Sequence, residues 1–386
     1  MSAPLRIAVA SSGLGHIARG IETWASDLGA ALAKRGHDVR LYQGGGTAPP
    51  YGDVLPNLPR ESAANARWAG RLPTALGWRL GLKAGYPLEQ STFAWSLFRA
   101  LQRRPADILH VQDPVVALRL DQLRQRGLLT TRTILAHGTE EPGKFLARFR
   151  YLQHLSPTQL ERWRGDGIWQ PTWTAIGNFV DTERFHPGRA SALRAALDIP
   201  PDAAIILTLA AIKRTHKRID WLLAAMTALR ARHPETPFVL VVAGGREGDT
   251  DEIIREGTAL LGDSVRFLVR HPRAEIPDLC RAADIFILAS LFEMMPIALL
   301  EAAASGLPCV THDEPTLRWM TGAGGIPTQM DNIDAVIAAV QPLLADPAHR
   351  ARIAAAARAH AIAEFSEESI VQRYLDYYHA VMADTP

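Results

Sequence analysis

Cysteine is almost missing from this chain of 386 residues, and the two present, Cys280 and Cys309, form no CxxC or zinc-ligand spacing. That speaks against a disulfide-stapled scaffold or a zinc module, and a reducing cytosol is the simplest home. Net charge is also nearly absent. Lys and Arg number 42 against 40 Asp and Glu, a formal +2, which does not suggest bulk nucleic-acid binding. No uncharged apolar run approaches the roughly 20 residues that a membrane-spanning helix requires. The stretch Met-Ser-Ala-Pro-Leu-Arg before Ile7 is too short and wrongly flanked for a signal peptide. A cytoplasmic protein is expected.

What the chain does have is enough apolar material for two cores. Hydrophobic residues make up 47% and charged residues 21%, and the length suits two α/β domains of about 150–200 residues. The first half repeats strand then amphipathic helix. Arg6–Ala10 reads as a strand, residues 21–35 have helical spacing, and Val39–Tyr42 reads as a second strand. The runs 108–111 and 133–136 continue the pattern. A second set follows the polar, Pro-marked stretch 178–188, with strands at 205–210, 238–243, 265–269 and 285–289 and a helix over 219–232. Such alternation implies parallel sheets with right-handed crossovers, and the domain boundary falls near residues 186–203. Alanine-rich helices occupy much of 331–364. The segment 367–382 is amphipathic and rich in tyrosine, with Tyr374, Tyr377 and Tyr378.

The stretch Glu293-Met-Met-Pro-Ile-Ala-Leu-Leu-Glu301 follows an apolar strand and reads as loop then helix. Pro296 suits the first helical position, Gly306 the C-cap, and Pro308 lies just beyond. If the segment is mostly helical, the carboxylates stand roughly 12 Å apart, with the free first-turn N–H groups between them. Carboxylate, anion cradle, carboxylate suits a ligand with hydroxyls, phosphates and again hydroxyls, such as a nucleotide sugar. Two glutamates at this spacing are commonly solvated surface charges. The strand end argues for a site, because open α/β sheets bind ligands there.

Other candidates lie at other strand ends. Ser11-Ser-Gly-Leu-Gly-His16-Ile-Ala-Arg19-Gly20 joins the first strand to the first helix, and its glycines allow close backbone approach. Gly13 and Gly15 begin a dinucleotide fingerprint, but the acidic residue expected after the second strand is missing, which disfavours a dehydrogenase. Lys213-Arg214-Thr-His216-Lys217-Arg218 can neutralise a pyrophosphate without a metal, or can simply be a solvated charge run. Gly244, ending the 238–243 strand, is counted with the donor-binding candidates. His137 ends a strand and can hydrogen-bond a sugar or orient an acceptor, or be a turn histidine. Asp113 is a weaker acceptor-side candidate, beside His16 and Arg19. Asp249-Thr-Asp251 resembles a metal-binding D-x-D, but helix N-capping explains it better.

Residues 60–104 carry eight Arg or Lys against two Glu, with Trp68, Trp78, Phe93, Trp95 and Phe98 interleaved. This composition suits an anionic membrane surface or anionic acceptor, giving a peripheral contact at the inner membrane face. Buried aromatics with solvated arginines account for it equally.

These pieces, in this order, resemble the retaining glycosyltransferases of family 4, which have the GT-B fold. Gly20-Ile-Glu22 with Gly36-His-Asp-Val39 looks like the family's G-G-x-E and G-H-x-V opening. Asn178 to Pro187 is similar to N-G-V-D-x-x-x-F-x-P, Lys217-Arg-Ile-Asp220 to K-G-I-D, and Glu293 to Glu301 to E-x7-E. The resemblance implies an α/β protein of two Rossmann-like doubly wound domains facing across a cleft. Residues 1–187 would bind acceptor, 188–365 would bind donor, and a C-terminal helix 366–386 would cross back onto the first. It implies transfer of a sugar from a UDP- or GDP-sugar to a glycan, lipid-linked or small-molecule acceptor, by a front-face, retaining, metal-independent route. Glu293 would contact the sugar and Glu301 the ribose. Lys217 with Lys213 or Arg214 would hold the pyrophosphate, and Gly20 would approach it. His137 corresponds to the family's histidine near the donor sugar. The chain departs from the pattern at Ile212, where an Arg is usual, and at Met294 and Met295, where Gly and Phe are usual. Two other readings stay open: another GT-B enzyme such as a nucleotide-sugar epimerase, and a non-catalytic nucleotide-sugar-binding protein.

Overall fold

A computed structural model describes residues 5–17, 20–71 and 85–384. They form two compact units, residues 1–177 with 371–386 and residues 178–370. The first holds a parallel sheet of seven strands: β1 (Arg6–Ser11), β2 (Asp38–Gln43), β3 (Gly52–Val54), β4 (Ile108–Val111), β5 (Arg132–His137), β6 (Leu152–His154) and β7 (Thr174–Ala175). Their spatial order is β3-β2-β1-β4-β5-β6-β7. The second holds six parallel strands: β8 (Ala204–Leu209), β9 (Phe238–Gly244), β10 (Val265–Val269), β11 (Ile285–Leu288), β12 (Cys309–His312) and β13 (Gly325–Thr328), in the order β10-β9-β8-β11-β12-β13.

The central strands are almost wholly apolar because helices cover both faces of each sheet. In the second unit Ile206, Leu240, Val242, Ile285 and Ile287 pack with Leu222, Met226 and Leu229 of the helix Ile219–Arg232. In the first, Ala8, Ala10, Leu109 and Val111 pack with Phe93, Leu97 and Leu101 of the helix Gly85–Arg103.

In each sheet the strand order reverses once, between β1 and β4 and between β8 and β11. Connections leaving two such strands run to opposite faces and leave a crevice at the carboxyl edge, where open α/β sheets bind ligands. The loop after β8 contains Lys217, and the loop after β11 contains Glu293. Residues about 80 apart in sequence are thereby brought to one edge, through the pairing of Ile206 with Ile285.

The units divide earlier than the 187/188 boundary read from the sequence. Val180 N–H donates to the Phe365 carbonyl at 2.9 Å, and Glu367 N–H to the Val180 carbonyl at 3.2 Å, which ties the polar stretch from Asn178 to the second unit. The helix Glu367–Ala383 contributes its residues from Val371 onward to the first unit. There Tyr378 OH lies 2.7 Å from Nδ1 of His110 in β4, and Trp24 Nε1–H donates to Tyr374 OH at 3.1 Å. All four side chains are buried. Among the described residues no helix is long and apolar enough to cross a membrane.

Candidate functional site

The loop after β8 turns through backbone conformations that side chains seldom adopt. His216 has φ +68° and Arg218 has φ +51°, both left-handed. Each such non-glycine residue costs on the order of 1–3 kcal/mol, and such strain gathers at functional sites. The loop is fixed at its Arg218 end. Arg218 donates to the Met330 carbonyl at 2.8 Å, its guanidinium lying 4.5 Å from the Trp221 ring.

This geometry sends two nitrogens to one carboxylate. Lys217 Nζ donates to Glu293 Oε1, and His216 Nε2 lies 3.3 Å from the same oxygen. Glu293 is buried, 7% exposed. Burial alone would raise its pKa, but the His216 contact and the Lys217 ammonium outweigh it and hold the carboxyl at about 2. Glu293 is therefore an anion across the working pH range, able to accept hydrogen bonds from hydroxyls.

The helix that follows is Ile297–Ala304, so Pro296 is its N-cap rather than its first helical residue. Having no side-chain cap, the first turn keeps the N–H groups of Ile297 and Ala298 for another acceptor, the arrangement that binds phosphate, while Leu299 N–H donates to the Pro296 carbonyl at 3.1 Å. Glu301 lies on this helix, 3% exposed, and Arg273 Nη2 stands 2.8 Å from its Oε1. Arg273 is in the connection after β10, at the same carboxyl edge.

Met294 and Met295 part company. Met295 is buried, its Sδ accepts from the Asn178 N–H at 3.0 Å, and its carbonyl accepts from the Asn178 side-chain amide at 3.0 Å. It anchors the loop rather than lining the site. Met294 is half-buried beside Glu293.

The basic cluster also separates. Arg214 is drawn to acidic neighbours, with Nη2 2.5 Å from Glu256 and Nη1 3.3 Å from Asp220. Those carboxylates raise its pKa, Glu256 most of all, so Arg214 is spent on the helix Thr250–Leu261 and its surroundings. Lys213 has no side-chain partner among the described residues. Asp249 does stand at the N-cap of Thr250–Leu261, yet its carboxylate accepts from the Arg214 backbone N–H at 2.8 Å instead of from the helix's first turn. Gly244 is explained by packing, since a Cβ there would lie 1.7 Å from the Ala210 carbonyl oxygen.

In the first unit the glycine loop after β1 is a close-packed turn. A Cβ on Gly15, φ +96°, would come within 2.0 Å of the Gly45 carbonyl oxygen. Gly20 opens the helix Gly20–Lys34 and has no such neighbour within 4 Å. Arg19 lies outside the described residues. Asp113 is fully buried and accepts from Ser12 N–H and Ser12 Oγ–H, both at 2.8 Å, and from Tyr86 OH at 3.1 Å. Its oxygens hold the Ser12 loop, which argues against direct acceptor contact. His16 Nε2 lies 3.3 Å from Glu89, a buried carboxylate gripped by Arg60.

His137 ends β5 as expected from the sequence, and its Nδ1 lies 3.1 Å from Nδ1 of His154, which ends β6. Burial lowers both pKa values, His137 to about 4 and His154 to about 3. Both rings are neutral at pH 7, and one Nδ1–H donates to the other. His154, His216, Arg273 and Asn178 carry roles that sequence reasoning did not assign. His216 lay in the quoted basic run, whereas Arg273 was not singled out, and its place after a strand is the one signal that could have found it.

Two family models match this chain, "Glycosyltransferase Family 4" over residues 18–184 and "Glycosyl transferases group 1" over residues 190–360. The chain belongs to glycosyltransferase family 4. Among curated relatives of this family-4 chain, a D-inositol 3-phosphate glycosyltransferase of Saccharomonospora viridis is 32% identical over 222 residues, covering 53% of this chain and 49% of that protein. A putative glycosyltransferase, EpsF of Bacillus subtilis, is 32% identical over 202 residues, covering 52% and 47%. The chain thus spans about half the length of the curated relatives it matches.

Solved structures share the fold over nearly the whole of this family-4 chain. Sucrose-phosphate synthase of Thermosynechococcus elongatus superposes with a TM-score of 0.78 at 19% identity, covering 98% of this chain and 99% of that one. Anabaena Alr3699/HepE, solved with UDP and glucose, gives 0.74 at 16% identity, covering 97% and 100%. These likenesses establish the GT-B fold.

Proposed function

We propose that this family-4 protein transfers a sugar from a nucleotide diphosphate sugar to a hydroxyl acceptor, retaining the anomeric configuration without a metal. The observation that carries the reading is the ionised, buried Glu293 at an uncapped helix mouth, with Lys217 and His216 on its oxygen. Glu293 accepts from hydroxyls of the donor sugar. The N–H groups of Ile297 and Ala298 at the helix mouth, with Lys217 and Lys213, take the pyrophosphate. Glu301, oriented by Arg273, accepts from the ribose.

The chemistry follows from charge. As the bond from the sugar's anomeric carbon to the diphosphate breaks, negative charge grows on the leaving oxygens. Fixed N–H dipoles and ammonium groups stabilise that charge more than they stabilise the bound donor. A leaving phosphate oxygen takes the proton of the attacking acceptor hydroxyl on the same face, which preserves the configuration. His137, neutral at working pH, hydrogen-bonds the substrate rather than supplying a positive charge. The likeness to a UDP-bound structure supports a uridine donor. The inositol-phosphate relatives support a small polyol or glycan acceptor.

A thermal-shift screen across UDP-, GDP- and ADP-sugars tests donor binding first. A true donor at 100 times its dissociation constant stabilises by about 2.7 kcal/mol. Product analysis with the identified donor then decides the reaction. Transfer or slow hydrolysis that vanishes in Glu293→Ala supports it, an epimerised nucleotide sugar replaces it with isomerisation, and binding without turnover reduces the protein to a binder.

A further inference from the structure

His154 is a buried titratable group that the proposed transfer does not use, and it stands against one that the transfer does use. β5 and β6 pair in register with His137 opposite His154, so the two side chains leave the same face of the sheet. Their rings meet edge to face, with centroids 5.2 Å apart and the Nδ1 atoms at 3.1 Å. His137 is 3% exposed and His154 is fully buried. Of two neutral imidazoles joined at Nδ1, one carries its proton there and the other carries its own on Nε2. The direction of that one hydrogen bond therefore fixes what each outer nitrogen can do.

Two observations give the direction. Glu141 Oε2 lies 3.6 Å from His137 Nε2. Thr139 holds the carboxyl group there, its hydroxyl donating to the two oxygens at 2.7 and 2.8 Å. A carboxyl oxygen facing a ring nitrogen favours a proton on that nitrogen. Burial raises the Glu141 pKa, and the Thr139 hydroxyl works against that rise. The His154 end gives the same answer. Its Nε2 is buried with no hydrogen-bond partner among the described residues, and the ring packs edge-on to Trp173 at 5.4 Å. Buried N–H groups without an acceptor are rarer in folded chains than buried acceptors without a donor, so a bare lone pair suits this position better.

We propose that His154 is a positioning residue, whose Nδ1–H holds His137 in its Nε2–H form and keeps that N–H for a substrate oxygen. Glu141, at 3.6 Å, is too far to take the N–H in a hydrogen bond. The part played in transfer rests on the reading that His137 meets the substrate, whereas the direction of the proton does not.

Nitrogen correlation spectra of the full chain with isotope-labelled histidine, recorded without substrate at pH 8, test the direction. His137 is expected to be protonated at Nε2 and His154 at Nδ1, the two assigned from the spectra of His137→Gln and His154→Asn. The opposite pattern, or both rings protonated at Nε2, would overturn the proposal. His154→Phe keeps a ring but has no donor, and His137 in it should sample both protonated forms. His154→Asn returns an N–H near the place of Nδ1 and should restore the single form. With the donor found by thermal shift, kcat/KM should fall about five-fold or more in His154→Phe, the worth of one hydrogen bond, and stay within about two-fold in His154→Asn. Full kcat/KM in His154→Phe, a single Nε2–H form in that variant, or equal losses in the two variants would each reduce His154 to a packing residue. If the unaltered chain shows no transfer, the glycosyltransferase reading falls, and the spectra still decide the direction of the proton.

Discussion

Asn178 donates twice to Met295, once from its backbone N–H to the sulfur and once from its side-chain amide to the carbonyl. The polar link that opens the second unit thus pins the short loop between Glu293 and the helix carrying Glu301. Asn178→Ala deletes the amide hydrogen bond and leaves the Met295 carbonyl without it. A loss of about 1–3 kcal/mol is expected in chemical denaturation of the second unit, together with weaker donor binding by calorimetry. Met295→Leu, which keeps the carbonyl and the volume, costs less than about 1.5 kcal/mol. Equal costs for the two variants would show that the amide bond does not position the loop.

Removing Lys217 leaves Glu293 buried without an ammonium beside it. Lys217→Ala is expected to raise the Glu293 pKa and destabilise the unit by about 3 kcal/mol or more, the cost of an uncompensated buried charge. In the intact protein the Glu293 pKa is depressed to about 2. Its contribution to stability is therefore complete above the unfolded value of about 4.3 and is lost as pH falls through about 2. In Lys217→Ala that loss moves to higher pH. Denaturation curves collected from pH 6 downward in both proteins would reveal the shift, and superimposable profiles would refute the pairing.

The two neighbouring cations of the β8 loop should behave differently. Arg214 is occupied by Glu256 and Asp220, so Arg214→Ala leaves the donor dissociation constant within roughly two-fold. Lys213→Ala removes a cation available to phosphate and weakens donor binding by about ten-fold or more. Isothermal titration with the donor found by thermal shift distinguishes them, and the reverse ranking would return the pyrophosphate to Arg214.

Glu301 and Arg273 form the outer end of the site at 2.8 Å. Arg273→Ala is expected to raise the Michaelis constant for the nucleotide sugar by about ten-fold, with little change in kcat, because a ribose contact is made equally in ground and transition states. A fall in kcat at an unchanged Michaelis constant would place Arg273 at the reacting end instead.

The first unit should be the acid-sensitive half. Burial lowers the pKa of His110 and His154 to about 3 and of His137 to about 4. Unfolding releases them to about 6.5, so the unfolded chain binds more protons below that pH. The stability they allow is complete above about 6.5 and falls as pH drops toward 4. Tryptophan fluorescence and hydrogen exchange followed from pH 7 to 4 should show the first unit opening before the second. His154→Gln should flatten the slope, and a pH-independent first unit would contradict the neutral histidines.

Much of the frame was legible in order along the chain. Apolar runs such as Ile285 to Leu288 read as buried strands because both faces of a parallel sheet are covered. The spacing of Glu293 and Glu301, bracketed by Pro296 and Gly306, marked a loop and helix at a strand's carboxyl end. His137 was placed at a strand end by the same signal. The domain boundary was less legible, since nothing local shows that Val180 pairs with Ser366.

The sequence alone determined which residue types were available at each strand end and that the strands alternate with helices, because those are properties of local periodicity. Only the tertiary structure decided which ends meet. The pairing of β8 with β11 set Lys217 and His216 on Glu293, while Arg214, three positions before Lys217, went to Glu256 and Met295, next to Met294, went to Asn178. Side chains a few residues apart were sent to different work by a left-handed turn and a strand order. Neither is written in their spacing, because both arise from contacts between segments far apart in the chain.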